Sequence, residues 1–383
     1  SIYRQKPLCV HYPECGGCQW QHASYQFQLI AKKQVLASIL SKTGIQHDNI
    51  LKDIIPSPAQ WHYRNRMDIS VDPSFSIGLH PVESFSEVID LHECHIAFPE
   101  LIHSILAVKK SAIECGIQPY NIKTHEGNFR GILLRKHREG IAIAPILKEQ
   151  PHDSRFPENL IKSLEETGLP TSFIGIIINP KKNDSLDNIH LLELHGKPEL
   201  YEVIDSLKIY YHFLSFFQNN TYLLNDFARY VVQKAIEGNP STLLDLYCGT
   251  GLFGLLAARK IKNVCGIEIN PVSISYARYN KEVNGLNNIE FHTASAENAS
   301  TMIERYGREA VIVDPPRAGL SPKTIKSLLT VLPLRIVYVS CNPLAFSRDL
   351  SALSLFYNIE EIQPFDMFPQ TKHIELVCTL VKK

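Results

Sequence analysis

The sequence predicts an α/β protein whose C-terminal part is a mostly parallel sheet with helices on both faces. Three observations carry this. From about residue 206, short apolar strand candidates alternate with helical stretches. Residues 49–205 instead read as short strands in succession. Three of the nine cysteines fall between positions 9 and 18, in a Gly- and aromatic-rich loop. The expected organisation is a cysteine segment (1–48), a β-rich central domain (49–205) and a C-terminal α/β domain (206–383).

In chain order, the cysteine loop covers residues 9–20. A helix is expected over 24–42, capped by Ser24, ended by Gly44, with Phe27, Ile30, Val35, Ile39 and Leu40 as its apolar stripe. Strand candidates follow at 67–71, 131–135, 140–144, 172–179 and 189–194, interrupted by one helix near 99–115. The C-terminal domain offers strands at 242–248, 263–269, 289–292, 310–314, 335–340 and 375–381. In such sheets ligands bind beyond the carboxyl ends of the strands, so the residues after each strand matter most.

Composition limits the function classes. The 383 residues hold 39 basic and 39 acidic side chains and are 44% apolar. That supports two or three folded domains of roughly 100–200 residues each. Zero net charge argues against a broad nucleic-acid coat, though not against a local groove. No apolar run approaches the ~18 residues of a membrane span. Residues 1–10 hold no signal-peptide core, so a cytoplasmic protein without disulfide staples or membrane contact is expected, with a monomer as the default.

The strand ends carry chemistry. The first C-terminal strand leads into Asp245-Leu246-Tyr247-Cys248-Gly249-Thr250-Gly251. Two glycines between strand and helix allow a tight turn and close approach of a ligand. The third glycine of a dinucleotide fingerprint is missing, which disfavours a pyrophosphate cofactor. Glu268, ending the second strand, is placed to accept both hydroxyls of a ribose. The fourth strand runs into Asp314-Pro315-Pro316-Arg317, a stiff outward loop. The fifth runs into Ser340-Cys341-Asn342-Pro343, which puts a candidate nucleophile, Cys341, at the same edge. The other cysteines of this domain lie in apolar runs and read as buried structural thiols.

These motifs resemble the bacterial RNA uridine-C5 methyltransferases. The resemblance rests on Phe216-Phe217-Gln218-Asn219-Asn220, the Asp245–Gly251 turn, Asp314-Pro315-Pro316-Arg317, Ser340-Cys341-Asn342-Pro343 and His373-Ile374-Glu375. The N-terminal cysteines resemble the iron–sulfur subgroup that methylates 23S ribosomal RNA. The resemblance implies a class I, Rossmann-like methyltransferase domain using S-adenosylmethionine. It implies that Gln218, Tyr247, Gly249, Glu268, Ser295 and Asp314 contact that cofactor. Leu252 stands where the family often has Asn. Only eight residues precede Cys9, so the small RNA-binding barrel some members carry there is expected to be absent.

The chemistry implied is covalent. Carbon 5 of uracil is a poor nucleophile until a thiolate, here from Cys341, adds at carbon 6. Glu375 is the implied base that removes the hydrogen from carbon 5, although periodicity alone reads it as an ordinary strand acid. A flipped or unpaired uridine in RNA is the implied substrate. Two candidate RNA faces follow: Lys123, Phe129, Arg130, Arg135, Lys136 and Arg138, and the run His62-Tyr63-Arg64-Asn65-Arg66.

Cys9, Cys15, Cys18 and the distant Cys94 offer four thiolates, suited to a cubane cluster or to zinc. Spacing does not choose between them; the resemblance implies [4Fe–4S]. It also favours ribosomal RNA, with transfer RNA as the alternative. A cytosine-C5 methyltransferase is the lesser reading, since those enzymes resemble this one but place the cysteine in the Asp-Pro loop. A nucleotide-binding redox protein and a non-catalytic RNA-binding module would have no use for the Cys341/Glu375 pair.

Overall fold

The computed structural model describes residues 2–84, 86–183 and 189–383. They form two compact units. The first comprises residues 1–24, 59–200 and 219–221; the second comprises 25–58, 201–218 and 222–383. Helix α1 (Tyr25–Lys42) thus belongs to the second unit, whereas the sequence grouped it with the cysteines. Its bounds are as expected, but its buried face is not. Ile30 and Val35 are 40% and 48% exposed, and Gln28 and Lys32 are fully buried. Lys32 is drawn inward by an ion pair with Asp366 at 2.6 Å. Leu36 and Leu40 continue that face into the core of the second unit.

The first unit is a seven-stranded sheet. Its strands are β1 (Arg66–Val71), β2 (Ile77–Leu79) and β3 (Ile89–Asp90), then, after helix α2 (Pro99–Glu114), β4 (Phe129–His137) and β5 (Gly140–Leu147). Helix α3 (Phe156–Glu165) leads to β6 (Thr171–Ile178) and β7 (His190–Gly196). The spatial order is β3-β2-β1-β4-β5-β6-β7. All pairs are antiparallel except β5–β6, the strands that α3 connects. Its core joins Ile132, Leu134, Ile141 and Ile143 to Leu101, Ile105 and Val108 of α2 and Leu160 of α3. The sequence anticipated one helix here; α3 is the second.

After α1, the second unit resumes at Tyr201 within the hairpin β8 (Glu199–Ile204) and β9 (Leu207–His212). Then α4 (Leu224–Ile236), β10 (Thr242–Leu246), α5 (Leu252–Ala258), β11 (Asn263–Glu268), α6 (Pro271–Val283) and β12 (Ile289–Thr293) alternate. They are followed by α7 (Ser300–Tyr306), β13 (Ala310–Val313), α8 (Pro322–Val331), β14 (Arg335–Ser340), α9 (Pro343–Leu353), β15 (Tyr357–Phe365) and β16 (Glu375–Lys382). The sheet order is β12-β11-β10-β13-β14-β16-β15, parallel up to β14 and antiparallel for the last two. Reversal at β16 puts its first residue at the edge where the parallel strands end. The strands are near-continuous apolar runs because helices cover them. Among the described residues, no helix is long and apolar enough to cross a membrane.

Candidate active site

The turn after β10 is bent by three residues with positive φ: Tyr247 (64°), Gly249 (54°) and Gly251 (90°). Gly251 tolerates no side chain, since a Cβ would lie 2.7 Å from the Phe291 ring. Gly249 differs: a Cβ there would meet no atom within 4 Å, so its backbone borders open space. Its N–H donates to Glu268 Oε2 at 3.3 Å, and the N–H of Asn270 donates to Oε1 at 2.9 Å. The Glu268 carboxylate is therefore held in place at the end of β11.

Asp245 received no role from the sequence, although it is quoted in the turn motif. It is fully buried within β10. One carboxyl oxygen accepts from Gly254 N–H at 2.9 Å, and the other has no hydrogen-bond partner. Burial, reinforced by the carboxylates of Asp314 and Glu268, pushes its pKa up to about 8. An acid inside the apolar run Leu243-Leu244-Asp245-Leu246 was the available signal. Asp314 follows β13, and burial raises it to about 7. Ser295, after β12, caps a short turn by accepting from Glu297 N–H. Tyr247 reaches Thr324 Oγ1 at 3.4 Å. Gln218 is buried in the stretch between β9 and α4.

Each residue of the Ser-Cys-Asn-Pro turn but one has a local task. Ser340 Oγ accepts from Asn342 N–H at 3.2 Å. Asn342 caps α9 through Leu344 N–H at 3.1 Å, and Pro343 occupies the first helical position. Asn342 also donates to Arg317 O at 2.9 Å, tying this turn to the loop after β13. Cys341 remains a free, partly accessible thiol. The last β14–β16 pair is Ser340 with Leu376, so Cys341 and Glu375 each lie one residue beyond it at the same end of the sheet. Burial, then the charges of Glu375 and Asp314, push the Cys341 thiol up to about 11, with Arg317 opposing. Glu375 is buried, and burial with Asp314 raises it well above the usual carboxylate range. Tyr247, Gly249, Glu268, Ser295, Asp314, Cys341 and Glu375 thus share one sheet edge. Beyond the effect of burial, the carboxyl groups of Asp245, Asp314, Glu268 and Glu375 raise one another or the Cys341 thiol, so negative charge is concentrated at this edge.

In the first unit, Cys9, Cys15, Cys18 and Cys94 line one cavity, closed by Leu79, Leu91 and Ile96. The loop is pinned by Gly16 N–H to His80 O (3.0 Å) and by Val10 N–H to Glu93 Oε1 (2.7 Å). Burial raises all four thiols, Cys18 to about 12. Among the described residues, no three His, Cys, Asp or Glu side chains are arranged to hold a metal ion. Cys115, Cys248, Cys265 and Cys378 are buried, as expected.

The expected RNA faces are corrected. Phe129, Arg130 and Arg135 are buried, not presented to solvent. Arg130 instead donates to the carbonyls of Asn179, Lys181 and Asn183 and stacks over Tyr120. In the other run Tyr63 and Asn65 are buried, and Arg66 pairs with Asp68 at 2.9 Å. Of the first run, Lys123 and Arg138 are exposed and Lys136 is partly buried.

The profile of the tRNA (Uracil-5-)-methyltransferase family matches residues 198–383. The chain is 32% identical over 390 residues to an uncharacterized RNA methyltransferase of Caldanaerobacter subterraneus subsp. tengcongensis, covering 100% of this chain and 86% of that protein. It is 34% identical over 389 residues to the tRNA (uracil(54)-C(5))-methyltransferase of Pyrococcus abyssi, covering 100% and 87%. The crystal structure of the Pyrococcus abyssi tRNA (uracil-54, C5)-methyltransferase in complex with S-adenosyl-L-homocysteine is similar with a TM-score of 0.78 and 33% identity, covering 96% of this chain and 86% of that one. With this similarity running the length of the chain and the Cys341/Glu375 edge in place, the protein belongs to the RNA uracil-C5 methyltransferase family.

Proposed function

We propose that the protein methylates carbon 5 of a uridine in RNA through a covalent bond between Cys341 Sγ and carbon 6 of the base. The observation that carries this is that Cys341 and Glu375 lie one residue beyond the last β14–β16 pair, at the edge that also holds Glu268 and Gly249, with burial and then the Glu375 charge raising the Cys341 thiol. The Cys341 thiolate adds at carbon 6, and the displaced π electrons make carbon 5 nucleophilic. S-adenosylmethionine, when bound, supplies the methyl group that carbon 5 takes. Glu375 then removes the proton from carbon 5, the carbon 5–carbon 6 double bond re-forms, and the Cys341 sulfur is expelled. A carboxyl held above its usual range is suited to that proton transfer near neutral pH.

The cofactor site fits the chain's own residues. Glu268 is oriented by two backbone N–H groups to accept ribose hydroxyls. Gly249 leaves open space beside it, and the carboxyls of Asp245 and Asp314 favour a positive ligand. Gln218, Tyr247 and Ser295 complete the proposed contact set. The Pyrococcus abyssi relative, solved with S-adenosyl-L-homocysteine, supports the same assignment.

For the cysteine cavity the reading is a [4Fe–4S] cluster on Cys9, Cys15, Cys18 and Cys94. Its support is that all four thiols line one cavity, together with the spacing of the N-terminal cysteines. The cluster would neutralise buried groups that otherwise resist becoming thiolates.

Two RNA classes have support. The cysteine pattern favours 23S ribosomal RNA, and the tRNA methyltransferase of Pyrococcus abyssi supports transfer RNA at least as strongly. Incubating the purified protein with S-adenosylmethionine and either transfer RNA or ribosomal RNA transcripts, followed by nucleoside mass spectrometry, tests both. 5-Methyluridine in one pool identifies the substrate class. A methylated cytidine, or no product with either RNA, overturns the proposal.

A further inference from the structure

We infer that Gln28 and Lys32 of α1 are positioning residues for Glu375, acting through the buried loop that joins β15 to β16. The inference rests on Glu375 being the base that frees the product. Lys32 Nζ donates to Asp366 Oδ1 at 2.6 Å and to Phe368 O at 3.1 Å. Gln28 makes two bonds to one residue: its Nε2 donates to Gln370 Oε1 at 2.9 Å, and its Oε1 accepts from Gln370 N–H at 3.0 Å. Gln370 has φ +68°. A non-glycine residue holds that left-handed conformation only where its surroundings fix it. Thr371 Oγ1 then donates to Phe368 O at 2.8 Å and accepts from His373 N–H at 3.2 Å. Fixing residues 366–370 thus sets where the chain re-enters β16, whose first residue is Glu375.

Stability alone does not account for these residues. All four partners, Gln28, Lys32, Asp366 and Gln370, are fully buried. A buried ion pair is often no more stabilising than apolar side chains of similar volume. What polar pairs add is a single register. The rest of the α1 face, Leu36 and Leu40, is ordinary apolar packing. The polar half faces the segment that ends in the base. A displacement of about 1 Å can slow a reaction about a hundredfold.

The test is Gln28→Ala, with Gln28→Met as the volume-filling alternative should the first fail to fold. Single-turnover methyl transfer to ordinary substrate RNA and the fraction of protein covalently joined to RNA on denaturing gels are measured together. Methyl transfer should stay within about twofold of wild type, while steady-state turnover falls about tenfold or more and the covalent species accumulates. A folded variant in which transfer and release fall in parallel, or in which neither changes, overturns the inference. RNA carrying 5-fluorouridine, which has no removable hydrogen at carbon 5, provides the separation. If the wild type fails to trap it on Cys341, the proposed reaction fails. If the wild type traps it and the Gln28 variants show no excess adduct on ordinary RNA, only the positioning role fails.

Discussion

Cys341 and Glu375 lie one residue beyond the Ser340–Leu376 pair that ends the β14–β16 ladder, close enough for the Glu375 charge to add to burial in raising the Cys341 thiol. The proposed nucleophile and base serve neighbouring carbons of one ring, and their place at the same end of the antiparallel pair suits that task. Their charges oppose each other, so the free site favours the protonated thiol.

This gives a pH signature for the free protein. With the thiol at about 11, alkylation of Cys341 should rise about tenfold per pH unit between pH 7 and 10. Glu375→Gln removes a negative neighbour and should make alkylation at pH 9 several-fold faster, read by peptide mass spectrometry. A flat profile below pH 8 would mean that the thiolate already exists.

Asp245 should make stability fall with rising pH. Its folded-state value of about 8 lies above the unfolded one, so the folded chain holds the extra proton. That contribution is fully present below about pH 4 and is lost as pH rises towards 8. Asp245→Asn keeps an acceptor for Gly254 and carries no charge. In the absence of ligand it should raise the melting temperature at pH 8, by the equivalent of about 1–3 kcal/mol, and change it little at pH 4. Equal melting temperatures at pH 8 would contradict the buried, underpaired carboxyl.

Glu268→Ala removes the acceptor for two backbone N–H groups and the proposed acceptor for the ribose. Binding of S-adenosylmethionine should weaken by about 1.5–3 kcal/mol, measured by calorimetry. An unchanged Kd would remove Glu268 from the cofactor site.

Protein purified without oxygen should contain about four irons and absorb broadly near the blue end of the spectrum. Cys94→Ser should lower the iron content and the melting temperature. One zinc and no iron would decide for a zinc site, and full iron in the Cys94 variant would exclude that ligand.

The parallel strands were legible because a strand covered on both faces is a continuous apolar run, as in Ala310-Val311-Ile312-Val313 and Ile336-Val337-Tyr338-Val339. Their ends were legible because Gly, Pro and Asn fix the turns that carry the chemistry. β15 was not: Asn358-Ile359-Glu360-Glu361 belongs to an edge strand whose charges break the apolar run, Glu361 being paired with Lys234 at 2.7 Å, and Pro364 masks the pattern. The buried face of α1 was hidden for a different reason. Lys32 and Gln28 look like surface residues, and their partners lie 334 and 342 positions away. Arg130 misled in the same way, since its acceptors are backbone carbonyls about fifty residues on that carry no side-chain signature.

The central claim is tested most directly by denaturing gels of protein incubated with substrate RNA and S-adenosylmethionine. Cys341→Ala should form no covalent species, because the attacking sulfur is gone. Glu375→Gln should accumulate a protein–RNA adduct carrying the transferred methyl group, because only the release step is blocked. A stable adduct from Cys341→Ala, or full turnover without adduct from Glu375→Gln, would contradict the account.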